Sequence, residues 1–426
     1  MAGNKYIVRQ PIKNTSSQVI GYEILYHGEN QMYGSEDLGG SSTAGRAPSN
    51  EFAVADTIYS FLTQNTDKTL KGSLNFMTFT TTLLLKKVPR LFKPSDLVIQ
   101  IEDSVIIHPL AMHVVQKYKR EGYQIAVNEF QFAPRYLAMI DDIDYIKLNF
   151  QTTSDVSIRN VIEISSGMGK RCIATGIDDA ALYQKAVSAG VYALEGAFVA
   201  GRLASPTHES GYLKSNFFRL MAAVTRDEPD LDEIERIISS DAALTYALLR
   251  VANSAQFVTR NRTTSVKQAI TKMGVGQLKQ WVYLLGAGNS SGTLDPSYEE
   301  FLKLSLIRAE FCSELMKYTR LVPLSKGEAY LMGMFSTLPS LINAPMQEIL
   351  AELPVADDIK RALINRDGPC GALYQLVLSY ENADWAKVNE LAAQLQIPPN
   401  ILTSLYFSCA EEADTLWIQM TELAGR

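Results

Sequence analysis

GYEILYHG, residues 21–28, sets one acidic side chain, Glu23, in an otherwise apolar and aromatic run. A strand of this kind would ordinarily carry Val or Ile at that position. A carboxylate there has to be explained by what it holds, because an unpaired buried charge is strongly unfavourable. Similar runs surround it. KYIVRQPI, VIGYEILYH, GSLNFMTFT, DLVIQI, YQIAVNEF, DYIKLNF, RCIATGI and YALEGAFV follow one another through the first half of the chain. Most are apolar throughout rather than alternating, which predicts strands buried on both faces. Helical patterns lie between them: AVADTIYSFLTQ, PLAMHVVQKYKREG and DAALYQKAVSAG, the last two closing on Gly where a helix ends in left-handed backbone. Strand and helix in alternation predict a parallel sheet, and about eight repeats predict a closed (β/α) barrel. GGSSTAGRAPSN, residues 39–50, reads as a polar loop.

The pattern changes near LASPTHESGYLKSN, residues 203–216, and everything after it is helical. PDLDEIERIISS places Leu231, Ile234, Ile237 and Ile238 on one face. Asp241 is expected to cap AALTYALLRVANS, whose stripe is Leu244, Leu248 and Val251. Ser265 is expected to cap VKQAITKM, with Gly274 closing it. The expected architecture is therefore α/β plus all-α: a TIM-type barrel over residues 1–205 followed by a helical domain over 206–426.

Composition bounds the function. A chain of 426 residues is long enough for two cores, and 46% hydrophobic with 20% charged residues is a globular balance. The formal net charge of −6 provides no basic footprint, so a nucleic-acid partner is not expected. Cys172, Cys312, Cys370 and Cys409 form no CxxC pair, which argues against a zinc knuckle and fits a reducing compartment. MAGNKYIVRQP has no apolar core of a signal peptide, and WVYLLGAG, residues 281–288, is far short of a membrane span. The expected location is cytoplasmic, with no membrane partner. His27, His108, His113 and His208 are the only histidines, and none follows 208.

ISSDAALTYALLRVANSAQF followed by TSVKQAITKMGVGQLKQWVYLLG closely resembles the HDOD domain, over roughly residues 212–410. HDOD domains are helical relatives of the HD metal-dependent phosphohydrolases. The resemblance aligns the metal-binding HD dipeptide with Ser336 and Thr337 in GMFSTLP. Without a histidine after 208, an HD-type site is not expected there.

GYEILYHG in turn resembles the strand that names the EAL domain, the cyclic-di-GMP phosphodiesterase fold, with EIL for EAL. The resemblance implies a metal-binding role for Glu23 and for Asn75 in GSLNF, and a catalytic role for Lys147 in YIKLN. It also implies losses. Gln100 in LVIQIED stands where a metal-binding Glu is expected, the paired aspartates of DDF appear as Asn128 and Glu129, and Thr175 replaces the first Glu of AEGVE. Glu195 replaces the Gln of QG. Leu25 and His27 fall on the ligand-binding positions, His27 where the family has a phosphate-contacting Arg. Amide oxygens can ligate a hard cation but bring no charge, so the expectation is a catalytically inactive signal-transduction protein working by protein–protein contact. A cyclic-di-GMP phosphodiesterase with a rearranged metal site, and a cyclic-di-GMP receptor without turnover, are the alternatives. No cofactor is expected, with Mg or Mn only if the enzyme reading holds. The expected partners are other signalling proteins, with cyclic-di-GMP and a second copy of the chain kept open.

Overall fold

The computed structural model describes residues 6–27, 58–59, 61–63, 70, 73–130, 133–201, 213–226, 228–240, 242–253, 263, 265–287, 296–342, 345–351 and 355–424. The chain divides into two compact units, Met1–Arg202 with Tyr380–Trp385, and Leu203–Ser379 with Ala386–Arg426. The expected loop at 39–50 and the boundary at 205/206 lie outside the described residues.

All eight apolar runs are strands: β1 (Tyr6–Asn14), β2 (Val19–His27), β3 (Asn75–Thr78), β4 (Leu97–Ile101), β5 (Gln124–Asn128), β6 (Tyr145–Asn149), β7 (Arg171–Thr175) and β8 (Ala193–Leu194). They close into a barrel in sequence order. From β2 to β8 each pair is parallel, but β1 runs antiparallel to both of its neighbours. This departs from a uniformly parallel barrel, and the reason is local. Only four residues separate β1 from β2, and a parallel pair needs a crossover of a dozen or more. The link is a tight turn. Asn14 Oδ1 accepts from the backbone amides of Ser16 and Gln18 at 3.0 and 2.9 Å, and Ser17 takes a left-handed φ of 62°.

A layer of Ile12, Phe76, Val98, Ala126, Tyr145, Ile173 and Ala193 fills the barrel interior, one residue from each strand except β2. On β2 the residue paired with Ile12 is Gly21. Side chains alternate across a strand, so residues two further along point inward again. From β2 to the residue after β8, that next ring is Glu23, Thr78, Gln100, Asn128, Lys147, Thr175 and Glu195. It lies toward the C-terminal ends of the parallel strands, where barrels of this kind carry their chemistry.

Helices on the outside follow the sequence signals. Helix Pro109–Arg120 is capped by His108, whose Nδ1 accepts from the Ala111 amide at 3.3 Å, and helix Ala180–Ser188 by Asp179. Among the described residues, every regular element of the second unit is a helix. Asp230 caps Leu231–Ser239, which buries Ile234, Ile237 and Ile238 but leaves Leu231, on its first turn, exposed. Leu244 and Leu248 are buried as expected, while Asp241 lies outside the described residues. Ser265 Oγ accepts from the Gln268 amide at 3.2 Å, and the helix beginning at Val266 kinks at Gly274, where φ is 73°. Helix Pro296–Leu315 packs against Lys326–Phe335 and Leu402–Ala424.

Candidate active site

Glu23, the acid in the apolar run, is buried in the barrel with both carboxylate oxygens engaged. Oε1 accepts from Gln100 Nε2 at 2.6 Å and Oε2 from Lys147 Nζ at 2.8 Å. The Lys147 ammonium also lies 2.6 Å from Glu195 Oε2, a contact that is ionic rather than a well-aligned hydrogen bond. Three buried ionisable groups from β2, β6 and the end of β8 thus form a chain with one cation for two anions. Burial pushes the Glu23 carboxyl up to about 7, against the pull of Lys147 and with the help of Glu195. Burial alone would lower the Lys147 ammonium, but the Glu195 and Glu23 carboxylates outweigh it and its pKa is raised. Both directions follow from two carboxylates sharing one buried ammonium.

Glu195 is posted on the rim by the glycine after it. Gly196 adopts a φ of 145°, and a Cβ there would lie 2.4 Å from the Ile177 carbonyl oxygen. Only glycine adopts this backbone and this close approach without strain.

The other members of the ring are amides and hydroxyls. Gln100 Nε2 also reaches Thr78 Oγ1 at 3.4 Å, and Asn128 Nδ2 donates to the same oxygen at 3.2 Å. Their oxygens, Gln100 Oε1 and Asn128 Oδ1, are buried with no hydrogen-bond partner among the described residues. Buried polar atoms are ordinarily satisfied, so each of these asks what meets it. Thr175 ends β7 half-buried, paired in register with Asn149. Glu129 is exposed, in left-handed backbone with φ 52°, and its amide donates to the Lys147 carbonyl at 3.1 Å. Leu25 is half-buried near the end of β2, and the side chain of His27 lies outside the described residues.

Asn75 does not join this group. It opens β3, one residue out of phase with inward-facing Phe76, and its Nδ2 donates to the carbonyls of Leu70, Ser73 and Asp96 at 2.9, 2.8 and 3.1 Å. Asp96 precedes β4, so Asn75 stands at the N-terminal end of the strands, away from Glu23. The place assigned to Asn75 belongs to Thr78, which pairs in register with Gln100. Alternation along NFMT carried the signal: if Phe76 fills the core, Thr78 faces the mouth and Asn75 does not.

Glu102 lies outside the matched motif positions. It follows β4 in extended backbone, φ −117° and ψ 174°, two residues beyond Gln100 and therefore on the same face. Its side chain does not cap the short helix that begins at Asp103. It is half-buried, with Asn128 in hydrogen-bonding reach and Glu129 close by. Burial and the Glu129 charge hold its carboxyl above the ordinary range, while Asn128 opposes them. Among the described residues no three His, Cys, Asp or Glu side chains gather as a metal cluster, so any cation here draws on amide oxygens as well.

In the helical unit, Ser336 and Thr337 sit in a hydroxyl network. Ser336 Oγ donates to the Gly333 carbonyl at 2.7 Å and receives Arg308 Nη1 at 3.2 Å. Thr337 is buried and bonds Ser305 Oγ at 2.7 Å and the Met334 carbonyl at 3.1 Å.

Two family models match the chain: the EAL domain over residues 3–202 and the HDOD domain over residues 212–356. The chain carries an EAL domain followed by an HDOD domain. The EAL–HDOD protein is 28% identical over 398 residues to "Uncharacterized protein YuxH" of Bacillus subtilis, covering 92% of this chain and 94% of that protein. It is 26% identical over 405 residues to "Cyclic di-GMP phosphodiesterase CdgJ" of Vibrio cholerae, covering 92% of this chain and 88% of that protein. The solved "PaMucR Phosphodiesterase, c-di-GMP complex" is 14% identical, covers 47% of this chain and 91% of that chain, and has a TM-score of 0.36. The EAL–HDOD chain is thus a signalling protein related to cyclic di-GMP phosphodiesterases.

The expectation of a non-enzyme is corrected by these matches. A relative aligned along nearly the whole chain bears the name of a phosphodiesterase, and the barrel is an EAL domain. The uncharged side chains of Gln100, Asn128 and Thr175 do not leave the mouth without charge. Spatially, the mouth retains Lys147 with two carboxylates and adds Glu102. No helix among the described residues is long and apolar enough to cross a membrane.

Proposed function

We propose that the EAL barrel of this chain hydrolyses cyclic di-GMP. The observation that supports it is the buried Glu23–Lys147–Glu195 chain at the C-terminal mouth, where a purely structural role would be met as well by apolar residues. The relation to CdgJ names the substrate class.

Hydrolysis of the diester needs a water to lose a proton as its oxygen bonds to phosphorus, and a P–O ester bond to break as the leaving oxygen gains one. Glu23 is suited to the first transfer, because a carboxyl raised to about 7 accepts a proton near neutral pH. Lys147 opposes the negative charge that builds on the phosphoryl oxygens and is itself kept protonated by its two carboxylates. Glu195 holds the ammonium when Glu23 takes the proton, so Lys147 retains a partner throughout. The family implies a divalent cation, and the orphaned oxygens of Gln100 and Asn128 fit one, since hard cations take all-oxygen sets. Those two residues and Glu129 would hold it, and it would supply Lewis-acid activation of water and phosphate.

The test is the purified full chain with cyclic di-GMP and Mn²⁺, followed by chromatography for the linear dinucleotide. Product that falls at least ~100-fold in Lys147→Ala is expected. Intact substrate after incubation with a molar excess of protein sinks the reading.

A further inference from the structure

We propose, resting on the cation reading above, that Glu102 is an additional carboxylate ligand, so that the cation sits between β4 and β5 on Gln100, Glu102, Asn128 and Glu129. Glu102 stands outside every motif position by which the chain resembles the EAL domain. Its assignment comes from geometry. β4 passes from Gln100 to Glu102 in extended backbone, so both side chains face the mouth from adjacent rungs.

Two independent observations point to a ligand there. The Gln100 side chain is fully buried, with its nitrogen committed to Glu23 and Thr78 and its oxygen without a partner among the described residues. Asn128 is similar: its nitrogen serves Thr78 and Glu102, and its buried oxygen has no hydrogen-bond partner among the described residues. Both amides are turned so that an oxygen acceptor is left over, an orientation a cation can use. The charge that the amides lack is at hand. Glu102, half-buried, and Glu129, exposed, both stand beside Asn128 at this end of the strands. Glu23 already has the Lys147 ammonium as its cation. Four oxygen donors, two of them charged, match Mg²⁺ or Mn²⁺ with water completing the shell.

Mn²⁺ alone serves as the probe, titrated into the full-length protein without nucleotide and followed by the electron paramagnetic resonance signal of the free ion. One saturable site is expected. Glu102→Gln should weaken it at least ~10-fold, Glu102→Asp less, and Glu310→Gln, in the helical unit, not at all. Near-ultraviolet circular dichroism checks that each variant is folded, and Glu102→Asp carries the comparison if Glu102→Gln is not. A wild-type protein that takes up no Mn²⁺ at millimolar concentration overturns the proposal and leaves the orphaned oxygens to water. Unchanged affinity in both Glu102 variants overturns it as well. Hydrolysis with unaltered Mn²⁺ binding in the variants would sink this assignment alone. Mn²⁺ binding that depends on Glu102, without any hydrolysis, would sink the catalytic reading alone.

Discussion

Lys147 Nζ lies 2.8 Å from Glu23 Oε2, and the two residues are buried 124 positions apart in sequence. That contact joins β2 to β6 across the barrel and answers why a carboxylate interrupts an apolar strand. Removing the ammonium leaves two carboxylates in the interior. Lys147→Met should therefore lose about 3–5 kcal/mol of stability, as expected for breaking a buried pair from one side. The triple change Lys147→Met, Glu23→Gln and Glu195→Gln should recover much of it. Urea denaturation of the variants decides this, and a Lys147→Met barrel as stable as wild type would contradict the pairing.

Thr78 and Asn75 are separable by mutation. Thr78→Val removes the oxygen that receives both Gln100 and Asn128, and should lower stability by about 1–3 kcal/mol and disturb the mouth. Asn75→Leu strips the partner from three carbonyls at the other end of β3 and should destabilise without altering Mn²⁺ affinity. Equal effects of the two changes on Mn²⁺ titration would mean that the alternation argument is wrong.

Gly196→Ala should cost about 1–3 kcal/mol, because a side chain is forced into left-handed backbone and against the Ile177 carbonyl. Since Glu195 is adjacent, the activity loss should exceed what Ala gives at exposed Gly167, where an added Cβ meets nothing within 4 Å. Thermal unfolding and turnover of the two variants test this together.

In the helical unit, burial pushes the Glu310 carboxyl up to about 7, with Glu412 and Glu314 adding to it. Its ordinary value is 4.5, so folding favours the protonated form. The favourable contribution is complete below 4.5, shrinks as pH rises toward 7, and is gone above that. Glu310→Gln should match wild type in melting temperature at acidic pH and exceed it by a few degrees at pH ~8. A gap that stays constant from pH ~5 to ~8 would refute this.

The sequence by itself determined the eight strands, the change to helices, and the residue types at the mouth. Those features follow from local pattern: continuous apolar runs, capping residues such as Asp179 and Ser265, and glycine at helix ends. It also marked Glu23 as anomalous before any partner was known. What only the tertiary structure decided is which side chains meet. The antiparallel β1 came from a turn whose length overrides the barrel's general direction. Thr78 displaced Asn75 because phase along a four-residue strand is set by where Phe76 packs. Glu102 became visible only when β4 and β5 were laid side by side, bringing Asn128 within its reach. Electrostatics lives in such distances. A carboxylate is a metal ligand, a lysine's partner or a solvated surface group according to what stands a few ångströms from it, and spacing along the chain does not carry that information.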